Sequence, residues 1–213
     1  MNKFFEQLKY TFLYELIYPI IQILQTLDWF LKSKHKHTPQ LIKQEIIKSH
    51  AKKYKLPILI ETGTYLGTTV NANKNIFSRI YSIELDKKLY NRAKNKFKKF
   101  KNIEIIHGDS SVILPKMIQK ITKPCLFWLD AHYSKGITTK GAKETPVWEE
   151  LASILRHKIK HHVILIDDAD TFIGKNDYPT IGKIKKVMLK ENNYYNIEIN
   201  YNIIIITPRH LSK

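Results

Sequence analysis

The sequence predicts an α/β protein: a doubly wound, mostly parallel sheet with an antiparallel strand pair at its C-terminal end and a helical extension at its N-terminus. Three observations carry this expectation. Short apolar runs alternate with helical stretches along most of the chain. The runs are apolar on both faces, as strands buried from two sides are. Each run is followed by a carboxylate, at the end of the strand where an open α/β sheet holds its ligand.

Length and composition set the frame. The chain has 213 residues, 43% of them hydrophobic, enough for the core of one ordinary domain. Seven Gly and eight Pro exclude collagen-like and low-complexity classes. The single Cys125 excludes a disulfide framework within the chain and a multi-Cys zinc site, and it suits a reducing, cytoplasmic compartment. The 36 basic residues against 19 acidic give a net charge of +17, which raises nucleic acid or an anionic membrane as a partner. Only four of the 36 are Arg, however, and readers of phosphate and bases favour the Arg fork. The Lys excess accompanies Ile and Asn enrichment and reads as compositional, so nucleic acid is not the expected partner.

Residues 1–38 read as an amphipathic arm and residues 39–213 as the domain. Within 3–31, apolar residues recur at helical spacing: Phe5, Leu8, Phe12, Leu16, Ile20, Ile23, Leu24, Leu27 and Leu31. Glu15, Gln22, Gln25 and Asp28 interrupt the run, so it is a poor membrane span, and it lacks the features of a signal peptide. Pro19 has no N–H and is expected to kink or split the helix. Two readings compete: an arm packed on the domain or on a second copy of it, and an interfacial helix on an anionic membrane, favoured by the basic run Lys32, Lys34, Lys36.

The domain opens with Thr38-Pro39, read as N-cap and first helical residue. The helix behind it carries Leu41, Ile42, Glu45, Ile46 and Tyr54 at helical spacing. Strands are expected at 57–60, 80–83, 103–106, 126–129 and 163–166. Helices are expected at 87–101, around 147–157, and at 180–190. The region 194–207, dense in Tyr and Ile, reads as the antiparallel pair at the sheet edge.

The residues after the strands are Glu61, Glu84, Asp109, Asp130 and the pair Asp167-Asp168. Helix capping is the bland explanation for acids at these places. The first strand end is the most informative: Glu61-Thr62-Gly63-Thr64-Tyr65-Leu66-Gly67. Gly63 permits a tight turn and Gly67 a close passage into the next helix. An acid two residues before the first Gly repels a pyrophosphate and accepts bonds from an ammonium. The spacing therefore points to a cationic or zwitterionic ligand rather than a dinucleotide.

This pattern resembles the class I S-adenosylmethionine-dependent methyltransferases. Glu61-x-Gly63-x-x-x-Gly67 is similar to their first motif, Ile80–Asp86 to the second, His107-Gly108-Asp109-Ser110 to the third and Leu129-Asp130 to the fourth, in the right order across residues 39–213. The resemblance implies a Rossmann-like fold and S-adenosylmethionine as cofactor. Glu61, Gly63, Thr64 and Gly67 would hold its amino-acid part and Glu84 the ribose. Asp109 and Ser110 would hold the adenine, and Asp130 would border the same site.

Asp130, Asp167 and Asp168 narrow the likeness to the metal-dependent O-methyltransferases of the macrocin, caffeoyl-CoA and catechol types. That resemblance implies Mg²⁺ or Mn²⁺ held by these three residues and a small-molecule hydroxyl as acceptor, a sugar or a phenol. The chain departs from the caffeoyl-CoA pattern by reading Asp130-Ala131-His132-Tyr133 where that group has D-A-D-K. His132, near-neutral by nature, becomes the general-base candidate beside Asp130 in the catalytic set. Residues 133–145, with Gly136 and Gly141, read as a substrate loop over the site. A non-catalytic cofactor-fold binding protein and an RNA methyltransferase are the competing functions. The second of these lacks the N-P-P-[YF] tetrapeptide of base-nitrogen methylation.

Overall fold

The computed structural model describes residues 12–32, 37–130, 145–191 and 194–209. The elements in chain order are α1 (Phe12–Leu31), α2 (Gln40–Lys53), β1 (Ile58–Thr62), α3 (Thr68–Asn73), β2 (Arg79–Glu84), α4 (Lys87–Phe97), β3 (Ile103–His107), α5 (Ser110–Ile118) and β4 (Cys125–Leu129). They continue with α6 (Val147–Arg156), β5 (Val163–Ile166), a 3₁₀ turn at Ala169–Thr171, α7 (Ile181–Glu191), β6 (Tyr195–Asn200) and β7 (Ile203–Pro208).

The strands form one seven-stranded sheet in the order β3-β2-β1-β4-β5-β7-β6. β1 to β5 are mutually parallel, whereas β7 runs antiparallel to both β5 and β6. The expected C-terminal pair is present, with its second strand threaded between β5 and the first. The order reverses between β1 and β4. The crevice beyond their carboxyl ends is therefore the ligand position that such a topology defines.

Alternate residues of each strand feed two cores. Ile60, Ile83, Phe127, Ile164 and Ile206 pack on one face with Leu114 of α5 and Leu151 and Ile154 of α6. Leu59, Ile80, Leu126, Trp128 and Leu165 pack on the other with Ile47 and Ala51 of α2 and Phe97 of α4. Double-sided burial is why β4 and β5 read as unbroken apolar runs. β3 is the exception. As an edge strand it keeps Glu104 and His107 exposed.

Three local expectations change. α1 continues unbroken through Pro19, which is exposed, so water can meet the carbonyl that the missing N–H leaves unpaired. The described part of its expected apolar stripe faces outward: Leu16, Ile20, Ile23, Leu24, Leu27 and Leu31 are all exposed, and among the described side chains Trp29 and Gln22 are the buried ones. The Trp29 ring lies 5.7 Å from that of Tyr201, which anchors the helix to the turn between β6 and β7. No helix among the described residues is long and apolar enough to cross a membrane.

The start of α2 also differs. Pro39 is the N-cap residue, and no side chain caps the helix, because the Thr38 hydroxyl donates to the carbonyl of Tyr201. The buried positions of α2 are Gln44, Ile47 and Ala51, a stripe rotated away from exposed Glu45. That rotation turns Lys43 toward the sheet. Finally, α5 was not visible as a helix in the sequence, since Pro115 lies within it.

Candidate functional site

The site is built on the carboxyl ends of β1, β2, β4 and β5. β1 delivers Glu61, which is 1% exposed. Its register partner on β2 is Ser82, whose hydroxyl donates to Glu61 Oε2. The Thr64 and Ser82 hydroxyls are 2.6 Å apart, which ties the turn to β2. Burial pushes the Glu61 carboxyl up to about 8, eased by Ser82 and reinforced by the charge of Asp130. A buried acid in this state is poised to ionise when a cation arrives.

The turn after β1 carries backbone of unusual hand. Gly63, Tyr65 and Gly67 have φ of 85°, 50° and 70°. A Cβ on Gly67 would lie 2.7 Å from the Phe97 ring, so this position needs glycine twice, for its φ and for its neighbour. Tyr65 is not glycine, and its strained geometry aims its N–H at Glu84 Oε2, 2.8 Å away. The Asp86 N–H donates to Glu84 Oε1 at 2.8 Å. Burial raises the Glu84 pKa, and the two N–H donors oppose the rise. Glu84 is thus locked in orientation at the end of β2, one strand from Glu61.

Asp109 is the N-cap of α5. Its Oδ1 accepts from the Ser111 N–H at 2.8 Å and the Ser111 hydroxyl at 2.6 Å. Asp86 caps α4 in the same way. For these two acids, capping is a real structural role. Ser110 is buried and its hydroxyl lies beside Glu150.

Asp130 follows β4 directly, its N–H donating to the Thr62 carbonyl at 3.1 Å. Its charge acts on Glu61 on one side and on Asp167 and Lys43 on the other, which makes it the electrostatic centre of the rim. Asp167 follows β5 and is buried; its Oδ2 accepts from Lys43 Nζ of α2. Asp168 occupies the left-handed region (φ 52°) at the head of the 3₁₀ turn and makes no side-chain cap bond. The pair therefore does not serve as a cap. Asp170 faces elsewhere, exchanging hydrogen bonds of 2.8 Å with Asn202.

Two residues that no strand-end rule identifies join the site. Lys43 is one. Glu150 of α6 is the other: it is 1% exposed and burial pushes it up to about 7. Glu150, Asp130, Asp167, Phe172 and Tyr178 line a cleft of about 10 Å³, room for one water. Glu150 Oε1 and Asp167 Oδ1 are buried there with no hydrogen-bond partner among the described residues. His132 and the loop at 133–144 lie outside the described residues; Thr145, at the loop's end, is buried.

The expected metal ligands do not form a metal-binding set as they stand. Among the described residues no group of three or more His, Cys, Asp or Glu side chains is arranged to hold an ion. Asp167, the most buried of the trio, is engaged by an ammonium.

No family model matches this chain, and no curated protein matches it in sequence. Solved structures do match it in fold. The O-methyltransferase TomG from Streptomyces achromogenes, in complex with SAM, shares 13% identity over 88% of each chain with a TM-score of 0.58. An O-methyltransferase from Bacillus cereus, in complex with SAH, shares 12% identity over 88% of this chain and 90% of the other, also at 0.58. A caffeoyl-CoA O-methyltransferase-like protein from Staphylococcus aureus covers 92% and 97% at 13% identity and 0.55. The fold is that of the class I S-adenosylmethionine-dependent methyltransferases.

Proposed function

We propose that this chain transfers a methyl group from S-adenosylmethionine to a hydroxyl of a small molecule. The observation that carries the reading is the pairing of buried Glu61, beneath the strained Gly63–Gly67 turn, with the oriented Glu84 one strand away. Two of the similar structures hold SAM or SAH in this fold.

When bound, the cofactor supplies an electrophilic methyl on a sulfonium. Glu61 would ionise and accept the ammonium of its amino-acid part, at a floor that excludes water. Glu84, pinned by two backbone donors, keeps lone pairs for two vicinal ribose hydroxyls. Asp109 and Ser110 would border the adenine. Asp130 stands between Glu61 and the Asp167–Lys43 pair, and the acceptor would approach the methyl from that side of the rim. His132, two residues on, is the proposed base that takes the hydroxyl proton. The rest is positioning of the acceptor oxygen in line with the methyl. The reading needs no step through a divalent ion.

Titration calorimetry with S-adenosylmethionine tests it. Wild-type protein is expected to bind. Glu84→Ala removes hydrogen bonds to a charged acceptor, worth roughly 1.5–3 kcal/mol, and should weaken binding by about tenfold to a hundredfold. No binding by correctly folded wild-type protein would sink the proposal.

A further inference from the structure

We propose that Lys43 is the resident cation of the acidic rim, standing where Asp130, Asp167 and Asp168 would otherwise gather a divalent ion. The ammonium comes from the first helix of the domain and reaches across the carboxyl edge to Asp167 Oδ2, 124 residues away in sequence. The two side chains are only 14% and 2% exposed, so this is an interior ion pair and not a surface contact. Three carboxylates act on it, not one: Asp167, Asp130 and Asp168 all favour its charge. The position is fixed from behind, because Gln44, Ile47 and Ala51 of the same helix are buried.

The chemistry of the two cations differs. A hard divalent ion needs several oxygens converging and leaves a coordination position open to the acceptor. An ammonium satisfies one carboxylate by a directed hydrogen bond and reduces the negative charge of the rim by one. With Lys43 in place, a divalent ion would meet two carboxylates already balanced in part and a third already engaged. Lys43 acts through Asp167 and is a positioning residue. The inference holds whether or not the nucleoside binds, and its test uses neither cofactor nor acceptor.

The test is a Mn²⁺ titration of the full chain, read by the paramagnetic resonance signal of free Mn²⁺ and by melting temperature. Wild-type protein is expected to leave millimolar Mn²⁺ free and to melt at the same temperature with or without a chelator. Lys43→Met keeps the length and removes the charge; it should bind Mn²⁺ at least about tenfold more tightly than wild type, since carboxylate charge sets affinity for hard ions. Mn²⁺ should also raise its melting temperature. Lys43→Arg keeps the charge and should behave as wild type; a purely steric role would instead leave Lys43→Met, which keeps the bulk, as indifferent to Mn²⁺ as wild type. If Lys43→Met does not fold, Lys43→Gln carries the same titration. Stoichiometric Mn²⁺ binding by wild type, lost in Asp167→Asn and Asp168→Asn, overturns the proposal. So does a folded charge-removing variant that ignores Mn²⁺.

Discussion

At His162 one hydrogen bond fixes a protonation state. The Cys125 N–H donates to His162 Nδ1 at 3.0 Å, so the ring proton sits on Nε2 and points to His157 Nδ1, 2.9 Å away. The ring is fully buried, and burial with the nearby His157 and Lys160 charges lowers its pKa to about 3. An unfolded histidine titrates near 6.5. The unfolded chain therefore binds the extra proton first, and stability contributed by neutral His162 is lost as pH falls from about 6.5 toward 3. Chemical denaturation at several pH values should show this fall. His162→Asn, which keeps an acceptor for Cys125 and cannot charge, should flatten it. Such a role could not be read from the doublet His161-His162, because only the packing shows which of the two is enclosed.

Elements show more clearly what the sequence made legible. The five parallel strands were visible because burial on both faces leaves continuous apolar runs, and the strand-end acids came with them. Lys43 and Glu150 were not visible. Each sits on a helix whose buried stripe is decided by tertiary packing, and α2 is rotated from the periodicity its apolar residues suggest. α1 makes the same point more strongly, since its most regular apolar stripe lies outside and its anchor is Trp29. This arrangement predicts a contrast. Trp29→Ala should cost about 3 kcal/mol, which for a chain of this size lowers Tm by roughly 6–12 °C. Leu24→Gln with Leu27→Gln, at positions 60% and 54% exposed, should lower Tm by less than about 2 °C. Melting and sedimentation velocity check both. A large loss in the double variant, together with a slower-sedimenting species, would show that the stripe is covered by a second copy in solution.

For the whole molecule, the central fact is a ring of buried acids in a chain of charge +17. Glu61 and Glu150 stay protonated in the fold up to about 8 and 7, against 4.5 as ordinary carboxyls. Here the folded state binds the extra proton, so stability falls as pH rises from about 4.5 to 8. This slope opposes that of His162 below pH 6.5 and is unopposed by it above. Two carboxyls outweigh one imidazole, so wild-type stability is expected to fall gently across pH 4.5–6.5 and more steeply just above it, until Glu150 and then Glu61 ionise. Glu150→Gln should remove part of that decline, and a ligand that ionises Glu61 should reverse part of it. A stability maximum at pH 8 or above without ligand would contradict the burial of these groups.

The placement of β7 has a consequence for how the chain is made. The strand that closes the sheet on β5 is synthesised after every other strand, and its neighbour β6 cannot join without it. Until residues 203–208 leave the ribosome, β5 presents an unpaired apolar edge. From the synthesis of β5 until β7 emerges, the nascent protein must keep that edge from foreign strands, and a chain cut short before Ile203 would keep it open permanently.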